Sequence, residues 1–188
     1  MGTLFVVGLG NPGLQYASTR HNVGMEMVKQ WAKEQELKFK KQISYSKAFF
    51  HEGIHEVVIA YPEVFMNNSG KAIASLLGGM KEKADNLLVI VDDLETKLGS
   101  CKLVFEGGTR GHNGLRSIQQ SIGTKTFYQL RIGIGRPEEN MEVSDFVLSR
   151  FAEQEKTNID SIQQEVFHLI QQWIEERIET KEFERRTT

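Results

Sequence analysis

The sequence predicts an α/β protein in which helices cover both faces of a largely buried, twisted mixed sheet. Three observations carry that reading. Short apolar runs alternate with helical periods along the chain, the pattern of an α/β layered domain. Residues 87–92 (LLVIVD) are nearly all apolar, as a central strand covered on both faces requires. The final segment keeps Ile159, Ile162, Val166, Ile170, Trp173 and Ile174 at helical spacing, which suits a helix with one face on the core.

The elements follow in order. Residues 3–9 form a first strand that runs into G-L-G-N-P-G. Its glycines fit the G-x-G-x-x-G spacing of a dinucleotide fingerprint, which needs a helix opening at the last glycine and an acid ending a second strand about 20 residues on. Neither is present. Asn11-Pro12-Gly13 is a turn sequence, residues 14–20 lack an apolar period, and Glu34 falls late in the next helix. That helix, 22–36, places Val23, Met27, Val28 and Trp31 on one face. Strands are expected at 46–52, 56–61, 101–105 and 127–134, and helices at 68–78, 113–122 and 153–179.

At 188 residues the chain suffices for one core and is short for two, and it has three prolines and no low-complexity linker. One domain over 1–188 is expected. No basic n-region precedes an apolar stretch, and no apolar run approaches the roughly 18 residues of a membrane span. The single Cys101 excludes an intramolecular disulfide and suits a reducing cytoplasm. The net charge of −2 does not advertise nucleic-acid binding, but its distribution is uneven. Residues 97–136 hold seven bases against Glu106, and 29–47 hold six lysines against Glu34 and Glu36, whereas 151–188 hold nine acids and five bases. Such asymmetry permits a basic face on a near-neutral protein, although charge alone fits ordinary solvated faces equally well.

Ligands in such folds gather at the carboxyl ends of strands, which directs attention to Asn11, Asp92 and Asp93. His21 is the strongest base, since an imidazole titrates near neutrality, and Asp92 is a plausible carboxylate to orient it. A helix-start histidine bonded only to backbone is the plainer alternative. Asn11, Asn67 and Asn113 offer donor and acceptor edges that can orient a peptide-like substrate or stabilise an oxyanion. Each also has a structural alternative: Asn11 in a turn, Asn67 or Asn68 capping helix 68–78, Asn113 capping helix 113–122. No serine sits in a G-x-S-x-G elbow, so water is the natural nucleophile. A metal site built from His21, Asp92, Asp93 and His112 is conceivable, although no H-E-x-x-H or paired-cysteine spacing supports it.

Taken together, G-L-G-N-P-G, T-R-H-N-V-G, F-M-N-x-S-G-K, V-D-D-L, G-G-x-x-G-H-N-G-L-R-S-I and L-R-I-G-I-G-R-P closely resemble bacterial-type peptidyl-tRNA hydrolase, in that family's order, from residue 4 to about 150. The resemblance implies a single α/β/α, phosphorylase/hydrolase-like domain. It implies a cytoplasmic, metal-free enzyme. No cofactor, membrane or obligate protein partner is expected, and, with nothing in the sequence pointing to an oligomer, a monomer is expected. Such an enzyme cleaves the ester between a peptide and the terminal ribose of tRNA, recycling tRNA for translation. By motif, His21 matches the family's catalytic base and Asp92 its supporting carboxylate. Asn11 and Asn67 match substrate-positioning amides, and Asn113 the amide that holds the peptide and the catalytic water. Tyr16, Met66 and His112 match the lining of the channel for the peptide and the tRNA 3′ end. Lys102 and Arg131 match bases associated with tRNA phosphates. Three positions depart from the pattern: Val91, where some members carry histidine; Val104, where some carry a second base; and an acidic tail at 182–186 in place of a basic one. The last two imply weaker, more salt-sensitive tRNA binding. The rival functions are a metal-dependent esterase or aminopeptidase and a tRNA-binding module without chemistry.

Overall fold

The carboxyl ends of four parallel strands create the site, and the sheet order explains why. A computed structural model describes residues 2–79 and 81–187, and the side chains of these except 81–83 and 183–187. The strands are β1 (Thr3–Gly8), β2 (Lys40–Lys41), β3 (Tyr45–Glu52), β4 (His55–Pro62), β5 (Leu87–Asp93), β6 (Cys101–Phe105) and β7 (Tyr128–Gly133). They form one mixed sheet in the order β2-β3-β4-β1-β5-β7-β6. The central β4, β1, β5 and β7 run parallel, while β2, β3 and β6 pair antiparallel at the edges. The chain passes from β1 to β4 on one side and returns to β5 on the other. The end of β1 is therefore a topological switch point, the place where α/β sheets open a crevice.

The helices are α1 (Val23–Glu34), α2 (Ser69–Leu76), α3 (Asn113–Ile122), α4 (Val143–Leu148) and α5 (Glu153–Thr187). Alternation along β1 divides the core in two. Leu4 and Val6 join Val28, Trp31, Val166, Ile170 and Trp173 under α1 and α5. Phe5 and Val7 join Ile73, Leu77, Leu115 and Ile118 under α2 and α3. All seven residues of β5 are buried, as its continuous apolar run requires. These layers are the α/β arrangement read from the sequence.

The expected elements are present with ends shifted by a few residues, and α5 runs on to Thr187. Two were not anticipated. β2 is two exposed lysines, too short for a pattern, and α4 is six residues with only Phe146 buried. The glycine motif after β1 opens no long helix; a single 3-10 turn, Leu14–Tyr16, follows it. Gly24 instead permits close packing, because a Cβ there would lie 2.1 Å from the Ile90 carbonyl oxygen of β5. That contact seats the start of α1, and the residues just before it, on the ends of β1 and β5.

Candidate active site

His21 lies in a 3-10 turn, Arg20–Asn22, between the glycine-rich loop and α1. Its Nδ1 is 2.9 Å from both carboxylate oxygens of Asp92, the sixth residue of β5. An ionised carboxylate only accepts, so Nδ1 carries the proton and donates. Nε2 is then the ring's free lone pair, with no protein partner among the described residues. Burial disfavours the imidazolium, but the charge of Asp92 and its hydrogen bond outweigh burial, and the His21 pKa is raised above 6.5. Burial would likewise push the Asp92 carboxyl up. Two imidazoles reverse the sign and hold it well below the usual carboxylate range.

The second imidazole is His112, whose Nε2 is 2.9 Å from Asp92 Oδ1. Its tautomer follows from its other nitrogen. Nδ1 accepts the backbone N–H groups of Gly114 (3.1 Å) and Leu115 (3.3 Å), so the proton sits on Nε2 and is donated to Asp92. His112 is thus the N-cap of α3, satisfying two of the N–H groups that a helix start leaves open. This corrects the expectation that Asn113 caps that helix. Asn113 is its exposed first residue and borders the same pocket as His21 and Asp92. Likewise, neither Asn67 nor Asn68 caps α2 through its side chain.

Asn11 is buried in the turn after β1. Its Oδ1 accepts the Met66 N–H at 2.8 Å, which fixes the amide and leaves Nδ2 as a donor free of protein partners among the described residues. Asn22 was not anticipated as a supporting residue. Its side chain accepts the Asn11 N–H (2.8 Å) and donates to the Asn11 carbonyl (2.9 Å), clamping the loop. A buried amide directly after His21 in R-H-N was the available signal. Met66 is buried; Asn67 is exposed on the same 3-10 turn, Met66–Asn68. Tyr16 meets the half-exposed Phe65 edge-on at 5.9 Å. A pocket of about 360 Å³ is bordered by His21, Asp92, His112 and Asn113, with Val143 and Val147 of α4 as its apolar wall.

The two expected phosphate contacts differ. Lys102 is half-buried on the edge strand β6, opposite Arg131 of β7. Arg131 is 2% exposed. Its guanidinium bonds Gln129 Oε1 and the Gly108 carbonyl (both 2.6 Å) and lies 3.9 Å from Asp93 Oδ1. Side chains of the inner strand β7 bond the carbonyls of Gly107 and Gly108, so Arg131 braces that loop and borders the pocket with little of its surface. The tail at 182–186 lies mostly outside the described side chains.

Ligand atoms of His21, Asp92 and His112 lie within 4.8 Å of one another, close enough to suggest a metal. The donor set does not fit one. A metal on His112 Nε2 needs the lone pair that the α3 cap replaces with a proton, and Asp93 Oδ2 is already taken by Thr96 and Arg110.

The peptidyl-tRNA hydrolase family model matches residues 5–187. The peptidyl-tRNA hydrolase of Sulfurihydrogenibium sp. (strain YO3AOP1) is 42% identical over 157 residues, covering 84% of this chain and 83% of that protein. That of Persephonella marina (strain DSM 14350 / EX-H1) is 42% identical over 160 residues, with the same coverage. Among solved structures, peptidyl-tRNA hydrolase from Acinetobacter baumannii superposes with a TM-score of 0.85 at 31% identity, over 94% of this chain and 91% of that one.

Proposed function

Because this chain belongs to the peptidyl-tRNA hydrolase family and hydrolyses the ester of peptidyl-tRNA, we propose that His21 is the base that activates the attacking water. The observation that carries this reading is the tautomer. With Nδ1–H held by Asp92, the lone pair at Nε2 is free for a water proton. As the water attacks the ester carbonyl, its proton passes to Nε2 and Asp92 stabilises the resulting imidazolium. Collapse of the tetrahedral intermediate breaks the bond to the ribose oxygen, which takes that proton from Nε2. Peptide acid and free tRNA leave, and the base is restored.

The developing oxyanion needs donors already in place. Asn11 Nδ2 and the Asn113 amide are the candidates, and only the first is locked by the protein itself. Asn67, Tyr16, Met66 and His112 would border the peptide and the tRNA 3′ end. Backbone amides are common to every peptide, so asparagine contacts give affinity without sequence preference. Lys102 would contact phosphate, which supplies affinity without base specificity. In this reading the whole of 1–188 is one catalytic domain. It acts as a monomer on the acceptor stem and 3′ end in the cytoplasm, recycling tRNA for translation. Among the described residues no helix is long and apolar enough to cross a membrane.

The test is hydrolysis of an N-acylated aminoacyl-tRNA with and without EDTA. Equal rates are expected, and loss of activity restored by a divalent ion would reverse the assignment of His112 as a proton donor.

A further inference from the structure

We propose that Arg110 holds the phosphate of the substrate's 3′-terminal nucleotide, the phosphate nearest the scissile ester. The proposal rests on cleavage at His21 and adds how the terminal nucleotide is held there. Arg110 lies two residues before His112 and borders the same pocket as His21 and Asp92. Ester and 5′-phosphate belong to one nucleotide, so a pocket that presents the ester to His21 must receive that phosphate close by. At about 360 Å³ the pocket is near the small end of ligand sites, a size for a single nucleotide and not for a duplex.

At Asp93 two cations share one carboxylate. Asp93 is faced by two guanidinium groups, Arg110 at 3.2 Å and Arg131 at 3.9 Å. Arg131 is buried and bonded through Nε and Nη2, whereas the Arg110 side chain is 42% exposed. Arg110 makes one polar side-chain contact among the described residues, through Nη1. A guanidinium carries five N–H donors in a planar fork suited to phosphate, so most of that fork is open. The Thr96 hydroxyl also donates to Asp93 Oδ2, so that oxygen keeps a donor when Arg110 turns to a ligand. Arg136, the other cation at this rim, is paired with Glu95.

The backbone agrees. Arg110 has φ of 46°, in the left-handed region that disfavours a side chain. Such conformations persist where their surroundings impose them, and they gather at ligand sites.

The experiment compares the 3′-(N-acetylaminoacyl) ester of adenosine with that of adenosine 5′-monophosphate, using the wild type, Arg110→Gln and Arg110→Lys. The wild type is expected to favour the 5′-phosphorylated ester by about 10- to 100-fold in kcat/KM, the range of a hydrogen bond between charged groups. In Arg110→Gln that ratio should fall close to one, with Arg110→Lys between. Damage to the loop would slow both esters alike, so the ratio isolates the phosphate contact. A wild type indifferent to the phosphate, or an Arg110→Gln enzyme that keeps the preference, overturns the proposal alone. Cleavage of neither ester by the wild type would overturn it together with the reading on which it rests.

Discussion

Asp92 is shared by two histidines, and the two differ in what their other nitrogen does. His21 leaves Nε2 free, while His112 spends Nδ1 on the start of α3. The base form of His21 is the deprotonated one, so its raised pKa moves the acid limb of kcat/KM to higher pH than a free imidazole would give. Removing the charge of Asp92 removes what opposes burial. Asp92→Asn should therefore move that limb to lower pH and lower the plateau rate, as a pH–rate profile would show; an unmoved limb would separate Asp92 from the base. His112→Ala should lose a helix cap, costing about 1 kcal/mol of stability, together with one donor to Asp92. His112→Asn should regain the cap without reaching Asp92. Thermal melts should then recover while the rate does not. The pairing of His21 with Asp92 was legible, because a base before a helix and an acid ending a central strand both belong at a strand-end crevice. The role of His112 was not, since a cap depends on the angle at which the loop enters α3.

At the scale of elements, the catalytic turn is held from two sides. Gly24 brings α1 against β5, and Arg20 ties the turn to the chain after α4. The Arg20 guanidinium lies over the rings of Phe146 (4.3 Å) and Phe151 (5.0 Å) and pairs with Glu155 at 2.6 Å. One arginine thus fastens α4, a wall of the pocket, to the residue beside His21. Arg20→Ala should cost about 2–3 kcal/mol in stability, below the full penalty of a broken buried pair because Glu155 is part-exposed. It should raise KM more than it lowers kcat, since it loosens a wall and leaves the base in place; steady-state kinetics would separate the two. The sequence pattern reached the long elements, such as β5 with its continuous apolar run and α5 with an apolar face spanning several turns. It missed α4, where six residues bury a single phenylalanine and the neighbours that hold it come from far along the chain.

For the whole molecule, a near-neutral protein must bind a polyanion, so where its cations lie matters more than their sum. Lys102→Ala should flatten the plot of log kcat/KM against log salt by about 0.7–0.9, the effect of one lost phosphate contact. Arg131→Ala should act differently, destabilising the fold by about 3 kcal/mol, because it strips partners from buried Asp93 and Gln129. Both arginine and lysine looked alike in the sequence; only the sheet order, with β7 inside β6, separates them. The claim on which the rest depends is that His21 supplies the base while the fold and its cations hold the tRNA. It is tested most directly by single-turnover hydrolysis of an N-acetylated aminoacyl-tRNA with saturating His21→Ala enzyme, alongside its tRNA dissociation constant. A rate lower by about 10²–10⁴-fold with binding nearly unchanged is the expected result. A variant that keeps more than about a tenth of the wild-type rate would contradict the account.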